Sequence, residues 1–404
     1  MAVAGRRVLL LNQFYPPDVA PTGRYLHTLG RELVRRGHEV RVLCSRGSYE
    51  GGERYATEEV LHGVRVRRVA ASRFGRGWAG RAASYAAFLL LGAVEAIRGP
   101  RPDIVVCLTT PPYLGLVGRA LRSLRGTADA HWVMDVYPDA LGAHGLRGAS
   151  FAHRALAAVA RWQWRGARAV VALGPFMRDR LARHVAGPTH LEWIPLWCEE
   201  TVELQSGERA RVRAELGGGH EDLVLLYSGN MGLGHSLEEF LEAARRLGEA
   251  GPLWAFAGGG ARRAEVEAFT RAHPAARVRL LSYAPWDEAG ARLAAADVHL
   301  VSLQREWQGV IVPSKVQGAF AVGRPVLFVG PAENEAARWI EESGGGWRVD
   351  EGDVAGLLRA IDEARDAGER GRRGEAALAF ARDRFDGAAN CGRLADLIEQ
   401  ACPA

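Results

Sequence analysis

Residues 309–331 read GVIVPSKVQGAFAVGRPVLFVGP, and the rest of the chain is organised around this stretch. It divides into a loop, a short helix, a tight stop and a buried strand. Ser314-Lys315-Val316-Gln317 has the form of a capping box. The serine hydroxyl is expected to accept from the N–H three residues on, and Gln317 to reach back to the serine N–H. Gly323 stops the helix and Pro325 forbids its continuation. Residues 325–329 then read as a fully buried strand. Lys315 is the odd residue. A cation in the first helical turn meets the positive end of the macrodipole, at a cost of roughly 0.3–1 kcal/mol where exposed. An anion docked on the free N–H groups would reverse that sign. A solvated lysine and an anion site are both open at this point.

Working outward, the first half alternates strands and helices. Strands are expected at 8–12, 39–44, 104–108, 131–136 and 169–173, and helices at about 22–36, 113–124, 151–165 and 176–184. A break lies between 186 and 219, holding Pro188, the hydrophobic WIPLW of 193–197 and a charged run after it. Alternation restarts with strands at 223–227, 253–257, 278–281, 298–303 and 325–329, and helices near 354–367, 369–384 and 387–401 follow. Apolar runs between amphipathic helices argue parallel sheets covered on both faces, with right-handed crossovers.

The chain has 404 residues, 48% hydrophobic and 25% charged, which suits two ordinary globular domains. Its 52 basic and 47 acidic residues leave a net charge of +5. That excess is too small to imply nucleic-acid binding and fits an anionic substrate or an anionic membrane surface. The five cysteines are scattered with no CxxC pair, so neither a zinc site nor a disulfide framework is expected. A reducing cytoplasm is the simplest setting. No signal peptide is expected ahead of the first strand. The most apolar run, 82–97, is shorter than the roughly 20 residues of a spanning helix. Arg73, Phe74, Arg76, Trp78 and Arg81 precede it. A basic, aromatic approach to an apolar helix is one form of membrane-surface patch. A core helix behind an arginine-bearing loop is the preferred reading.

Several loops could carry chemistry. YSGNMGLGHS at 227–236 is entered by a strand and left by a helix, with Ser236 and Glu239 as a second capping box. Its three glycines allow close approach of backbone to a ligand. The pattern is not GxGxxG, and no P-loop occurs. Three glycines at 258–260 precede Arg262 and Arg263, and SYAP fills 282–285. In the first half, QFYPPDVAPTG at 13–23, TTPP at 109–112 and HWVMDVYPD at 131–139 each end or leave a strand. Ligands of such sheets bind beyond the carboxyl ends of the strands.

Taken together, PSK, the short helix, AVGRPVLFVGP and these loops resemble the retaining glycosyltransferases of family four. The resemblance covers most of the chain, most densely 8–37, 224–240 and 297–345. It implies the α/β GT-B fold, two Rossmann-like domains facing across a cleft. An acceptor-side domain is expected over 1–197, a nucleotide-sugar-binding domain over 198–385, and a C-terminal helix at 386–404 crossing back to pack on the first. Family members carry two glutamates, separated by seven residues, ahead of the GRP. The matching positions here are Val310 and Gly318. The family's phosphate-binding arginine and lysine match Asn230 and His235. The PSK form resembles a sub-branch that adds sugars to lipid-linked bacterial polysaccharides.

Residue by residue, the implied donor site is Gly229, Asn230, Met231, Gly232, His235, Gly259, Tyr283, Ala284, Val312, Pro313, Ser314 and Lys315, with Lys315 as a replacement charge. Tyr283 is a base contact or a boundary tyrosine. Phe14, Tyr15, Thr22, Gly23 and Thr110 are the implied acceptor side, Gly23 being alternatively a helix-start glycine. Asp135 follows the position of the family's histidine, taken here by Met134. It is the candidate catalytic group, as base or orienter of the acceptor hydroxyl. An aspartate after a strand is equally a cap or turn former. His131 lies three residues too early and is expected on the strand.

The implied reaction moves a sugar with retention, without metal or other cofactor, from a nucleotide-sugar. A UDP-sugar is the first expectation, N-acetylhexosamine being one candidate. The acceptor hydroxyl would belong to a lipid-linked saccharide or a natural-product core, in the cytoplasm or at the inner face of the plasma membrane. A nucleotide-sugar epimerase of the same fold and a non-catalytic partner subunit stay open, given the departures at 230, 235, 310 and 318.

Overall fold

The computed structural model describes residues 5–49, 54–70, 78–143, 151–185, 187, 189–198, 204–285 and 288–402. The chain divides into two compact units. Unit 1 comprises Met1–Pro195 with Ala388–Ala404, and unit 2 comprises Leu196–Gly387.

Unit 1 runs β1 (Arg7–Leu11), α1 (Pro21–Arg35), β2 (Glu39–Ser45), β3 (Glu58–Leu61), β4 (Val64–Val69), α2 (Trp78–Arg98) and β5 (Ile104–Cys107). It continues through α3 (Gly115–Arg125), β6 (Ala128–Trp132), α4 (Asp139–Ala143), α5 (Phe151–Trp164), β7 (Ala169–Ala172), α6 (Pro175–Leu181) and β8 (His190–Trp193). The strands form one sheet of order β3-β4-β2-β1-β5-β6-β7-β8, parallel except for β3 against β4. Central β1 is covered on both faces, so Val8, Leu9, Leu10 and Leu11 are all buried. Leu9 and Leu11 pack with Phe88 and Ala96 of α2 and Leu121 of α3. Leu10 points the other way, against Gly30 of α1.

Unit 2 runs α7 (Ser206–Leu216), β9 (Val224–Ser228), α8 (Glu238–Leu247), β10 (Leu253–Ala257), α9 (Arg263–Ala272), β11 (Val278–Leu281) and α10 (Ala289–Ala295). Then come β12 (Val298–Ser302), α11 (Lys315–Ala321), β13 (Val326–Val329), α12 (Glu335–Ser343), β14 (Gly346–Val349), α13 (Val354–Glu363) and α14 (Ala367–Arg384). Its six strands are all parallel, in the order β11-β10-β9-β12-β13-β14. The last helix, α15 (Gly387–Ala401), belongs to unit 1 for nearly its whole length. There Asp396 pairs with Arg36 at 2.5 Å and Glu399 with His38 at 2.9 Å.

Several local expectations are corrected. The strand expected at 131–136 is β6, three residues earlier, so Asp135 lies beyond its carboxyl end. The break at 186–219 contains β8 and α7. The run 82–97 lies within α2, which packs Phe88 and Ala96 into the unit 1 core as preferred, but also exposes its opposite side. Arg73, Phe74 and Arg76, and the side chains of Trp78 and Arg81, lie outside the described residues. Ser314 makes no side-chain cap, because its backbone is already helical (φ −63°, ψ −9°). Gln317 instead donates to Leu196 O at 3.1 Å. At α8, Ser236 Oγ donates to the Glu239 carboxylate at 2.7 Å and accepts from Glu238 N, one turn position short of the expected box. No helix among the described residues is long and apolar enough to cross a membrane.

Candidate active site

The donor-side loops follow β9, β10 and β12 in unit 2, at the carboxyl edge of the sheet, where crossover topology leaves free strand ends. Gly229, Gly258 and Gly260 have φ of +118°, +135° and +121°. A Cβ on Gly258 would stand 2.1 Å from Gly229 O, so the two glycine loops lie in direct backbone contact. Met231 N donates to Gly259 O at 2.6 Å, and Arg262 N to Met231 O at 3.0 Å. The Tyr283 ring lies 3.1 Å from where a Gly259 Cβ would stand, and both Tyr283 and Ala284 are half-buried. Met231 is buried in the unit 2 core, so its backbone alone faces the loop. Val312 and Pro313 are buried, Ser314 and Gly232 half-buried, and Asn230 exposed.

Lys315 is the centre of this group. Its half-buried Nζ stands 4.9 Å from the centroid of the buried Tyr227 ring and donates to His235 Nε2 at 3.2 Å. His235 Nδ1 faces Ser302 O at 2.5 Å. A carbonyl can only accept, so Nδ1 carries the hydrogen and Nε2 presents its lone pair to the lysine. Burial, then the Lys315 charge, pushes His235 down to about 3. Burial pulls Lys315 down to about 7. Among the described residues Lys315 forms no ion pair with a carboxylate. Within unit 2 the lysine is thus held by an imidazole and a ring face, not by a carboxylate.

Sequence reasoning passed over two residues here. Tyr227 was read as strand core, yet its face carries the cation, and its hydroxyl donates to Asn230 O at 3.0 Å. Arg262 was noticed as a residue after glycines. Its charge is felt by both His235 and Tyr227. Gln304, with its amide turned to satisfy its neighbours, accepts from Arg262 Nη2 at 2.8 Å. The positions matching the family glutamates are packed to different degrees. Val310 is fully buried, and a Cβ on Gly318 would meet Leu293 Cδ1 at 3.3 Å.

In unit 1 the candidate residues follow β1, β5 and β6. Gln13 N donates to Thr110 O at 2.8 Å. Thr109 Oγ1 accepts from Met134 N at 3.0 Å and Asp135 N at 3.1 Å. These bonds bring three strand ends into one edge. The Asp135 carboxylate is half-buried, and burial pushes it up to about 6. By contrast, Asp139 is taken up by Arg180 at 2.6 Å and His184 at 2.7 Å. His131 lies on β6 as expected, bonded to buried Asp129 at 3.0 Å. Phe14 and Tyr15 point inward, Phe14 edge-on to Tyr49 at 5.3 Å and Tyr15 OH bonded to His27 Nδ1 at 2.8 Å. Their rings are packing residues, not a surface for an acceptor. Gly23 is likewise enclosed, since a Cβ would stand 3.0 Å from Phe14 O. Thr22 is half-buried, and its Oγ1 accepts from Asn12 Nδ2 at 3.1 Å. Among the described residues no group of three or more His, Cys, Asp or Glu side chains is arranged to hold a metal ion.

Two Rossmann-like parallel-sheet units of this topology define the GT-B class. The sucrose-phosphate synthase from Thermosynechococcus elongatus has the same fold over 98% of both chains, with a TM-score of 0.77 at 18% identity. Anabaena HepE, solved in complex with UDP-glucose, matches 98% of this chain and 100% of its own, with a TM-score of 0.71 at 14% identity. In sequence, residues 22–197 match the glycosyl transferase 4-like domain. A Pseudomonas aeruginosa protein described as a glycosyltransferase, WbjE, is 31% identical over 268 residues, 66% of this chain and 67% of its own. An Escherichia coli K12 protein described as a colanic acid biosynthesis glycosyl transferase, WcaI, is 24% identical over 359 residues, 83% and 86% of the two chains. The chain belongs to glycosyltransferase family four.

Proposed function

We propose that the protein transfers a sugar from a UDP-sugar to a saccharide hydroxyl in bacterial polysaccharide biosynthesis, with retention and without a metal ion. The observation that carries this reading is Lys315, a half-buried ammonium held on Tyr227 and His235 with no carboxylate partner among the described residues. A cation kept that way is matched to an anion, and the adjacent glycine loops suit a diphosphate. UDP-glucose bound to HepE and the colanic acid biosynthesis named in the description of WcaI support the choice of donor and pathway.

In the reaction, the bond from the sugar's anomeric carbon to the β-phosphate oxygen breaks, and a bond to the acceptor oxygen forms on the same face. The acceptor proton passes to the departing diphosphate oxygen or to Asp135. Lys315, Arg262 and loop amides stabilise the negative charge that develops on the leaving group. Asp135 orients the acceptor hydroxyl. Incubation with UDP-, GDP- and ADP-sugars and saccharide acceptors, read by mass spectrometry with and without EDTA, tests the assignment. Transfer from a UDP-sugar that survives EDTA is expected. Conversion of the donor to an isomer without transfer would make the protein an epimerase, and no turnover of any donor would make it a non-catalytic relative.

A further inference from the structure

Three crossover helices of unit 1, α2, α3 and α5, form one layer on the sheet, with α3 packed against both of the others. Phe88 and Ala96 hold α2 to the sheet. The opposite side of α2 exposes Ala83, Ala86, Leu90, Leu91 and Val94, and Leu90 is 70% exposed. Among the described side chains, no charged residue interrupts that outer face before Arg98. A helix covering a sheet normally turns a polar face to water, and this one is apolar on both sides. The same layer exposes Leu124 of α3 (68%) and Phe151 (81%) and Trp162 of α5. Exposed large apolar side chains grouped this way mark an interaction surface.

Charge says what kind of surface it meets. The three helices carry seven arginines and one glutamate. Their excess of six is larger than the net charge of the whole chain, +5, so the remainder is close to neutral. The one acid, Glu95, is engaged by Arg67 at 3.1 Å, and one of the arginines, Arg122, is paired with Asp129 at 2.5 Å. Arg98, Arg154 and Arg161 are exposed. The Arg119 guanidinium stands 4.8 Å over the exposed Trp162 ring, which keeps a cation beside an amphipathic indole. A protein partner of ordinary composition would not call for so one-signed a rim. An anionic bilayer does, since it takes apolar side chains at the acyl boundary and arginines at the headgroups. At 1.5 Å per residue, α2 is roughly 30 Å long, enough to lie along such a surface.

We propose that the outer face of α2, α3 and α5 docks the protein on an anionic lipid bilayer, in the plane of the headgroups. This does not rest on the sugar chemistry assigned above. The test is sedimentation of the full chain with phosphatidylcholine vesicles, plain or containing about one third phosphatidylglycerol. Binding to the anionic vesicles is expected, at least about tenfold tighter than to the plain ones and weakened by salt. The double variant Leu90→Glu/Val94→Glu should lose about tenfold or more of that affinity. The triple variant Arg98→Gln/Arg154→Gln/Arg161→Gln should lose about a hundredfold, at roughly fivefold per arginine. An equal charge change on unit 2, Arg271→Gln/Arg372→Gln/Arg382→Gln, should leave binding within about twofold. Circular dichroism and a chemical-denaturation midpoint like those of the wild type certify that unit 1 is folded in each variant. No binding to anionic vesicles overturns the proposal, as does binding that Leu90→Glu/Val94→Glu leaves intact. Self-association of the wild type that Leu90→Glu abolishes also overturns it, and would make this face a homodimer interface. Vesicle binding without sugar transfer, or transfer without vesicle binding, tells the failure of one reading from the failure of the other.

Discussion

The ammonium of Lys315 and the imidazole of His235, 80 residues apart in sequence, meet at 3.2 Å with the lysine as donor. His235 can only accept there, because its other nitrogen is spent on Ser302 O. The pair holds a positive charge forward without neutralising it. The first predictions follow from that asymmetry.

Replacing Lys315 by alanine removes one charge-assisted contact of roughly 1.5–3 kcal/mol. UDP affinity should fall about ten- to a hundredfold, while affinity for uridine, which has no phosphate, should stay the same. Lys315→Glu should bind UDP more weakly still, since it adds repulsion. Equal UDP affinity across the three proteins by calorimetry would take Lys315 out of the site.

Lys315 titrates near 7 in the free protein because burial disfavours its charge. A bound diphosphate favours the charged form and raises that value. Affinity for a UDP-sugar is therefore full below about pH 7 and falls as pH rises above it, by at most about tenfold per unit. At pH 8, binding should take up close to one proton, seen as a dependence of calorimetric heat on buffer ionisation. In Lys315→Ala both effects should vanish.

Asp135→Asn should lower turnover by about 10²-fold or more and leave donor affinity unchanged. In the wild type, the acid limb of the rate profile should titrate near 6, where burial places this carboxylate. The stability sign is opposite to that of a salt-bridged acid. Its folded value is raised above the unfolded one, so stability is full below the unfolded value and is lost as pH rises through 6. At pH 8 the asparagine variant should be more stable than wild type by roughly 1–3 kcal/mol, and the gain should disappear near pH 4. Wild-type turnover in Asp135→Asn would leave the residue a turn former.

Introducing the family glutamate at Val310 should not improve function. Val310 is fully enclosed, and an unpaired carboxylate there should destabilise unit 2 by roughly 3–5 kcal/mol. The measurement is a chemical-denaturation midpoint beside UDP affinity. A stable Val310→Glu protein with tighter donor binding would show that the loop repacks.

Much of the architecture was legible because strands buried on both faces are written in Val, Leu and Ile, as in β1, β5, β9 and β13. The misses have physical causes. β6 is ADAHW, whose Asp129 and His131 look like loop residues until they are seen paired with each other and Asp129 with Arg122. β3 and β4 are EEVL and VRVRRV, at the sheet margin, where charge is tolerated. In the site, Lys315 stood out because a cation at that helix position needs a reason. Tyr227 and Arg262 did not, since a tyrosine ending a strand and an arginine after glycines are ordinary in sequence. Phe14 and Tyr15 were assigned to the acceptor side on motif position, and packing turns their rings inward, while Gly23 sits in the first turn of α1, its alternative reading.

The placement of α15 in unit 1 bears on how the protein is made. Unit 2 is continuous along the chain and unit 1 is not, so the ribosome completes unit 2 between the two pieces of unit 1. At about 5–20 residues per second, the interval lasts roughly 10–40 s. Through it, Arg36 and His38 lack Asp396 and Glu399, and the apolar surface later met by Cys391, Leu394 and Ile398 is uncovered. The nascent chain thus carries a unit 1 still short of its closing helix while all of unit 2 is being made. An uncovered apolar surface of this kind is where chaperones and misassembly act on nascent chains.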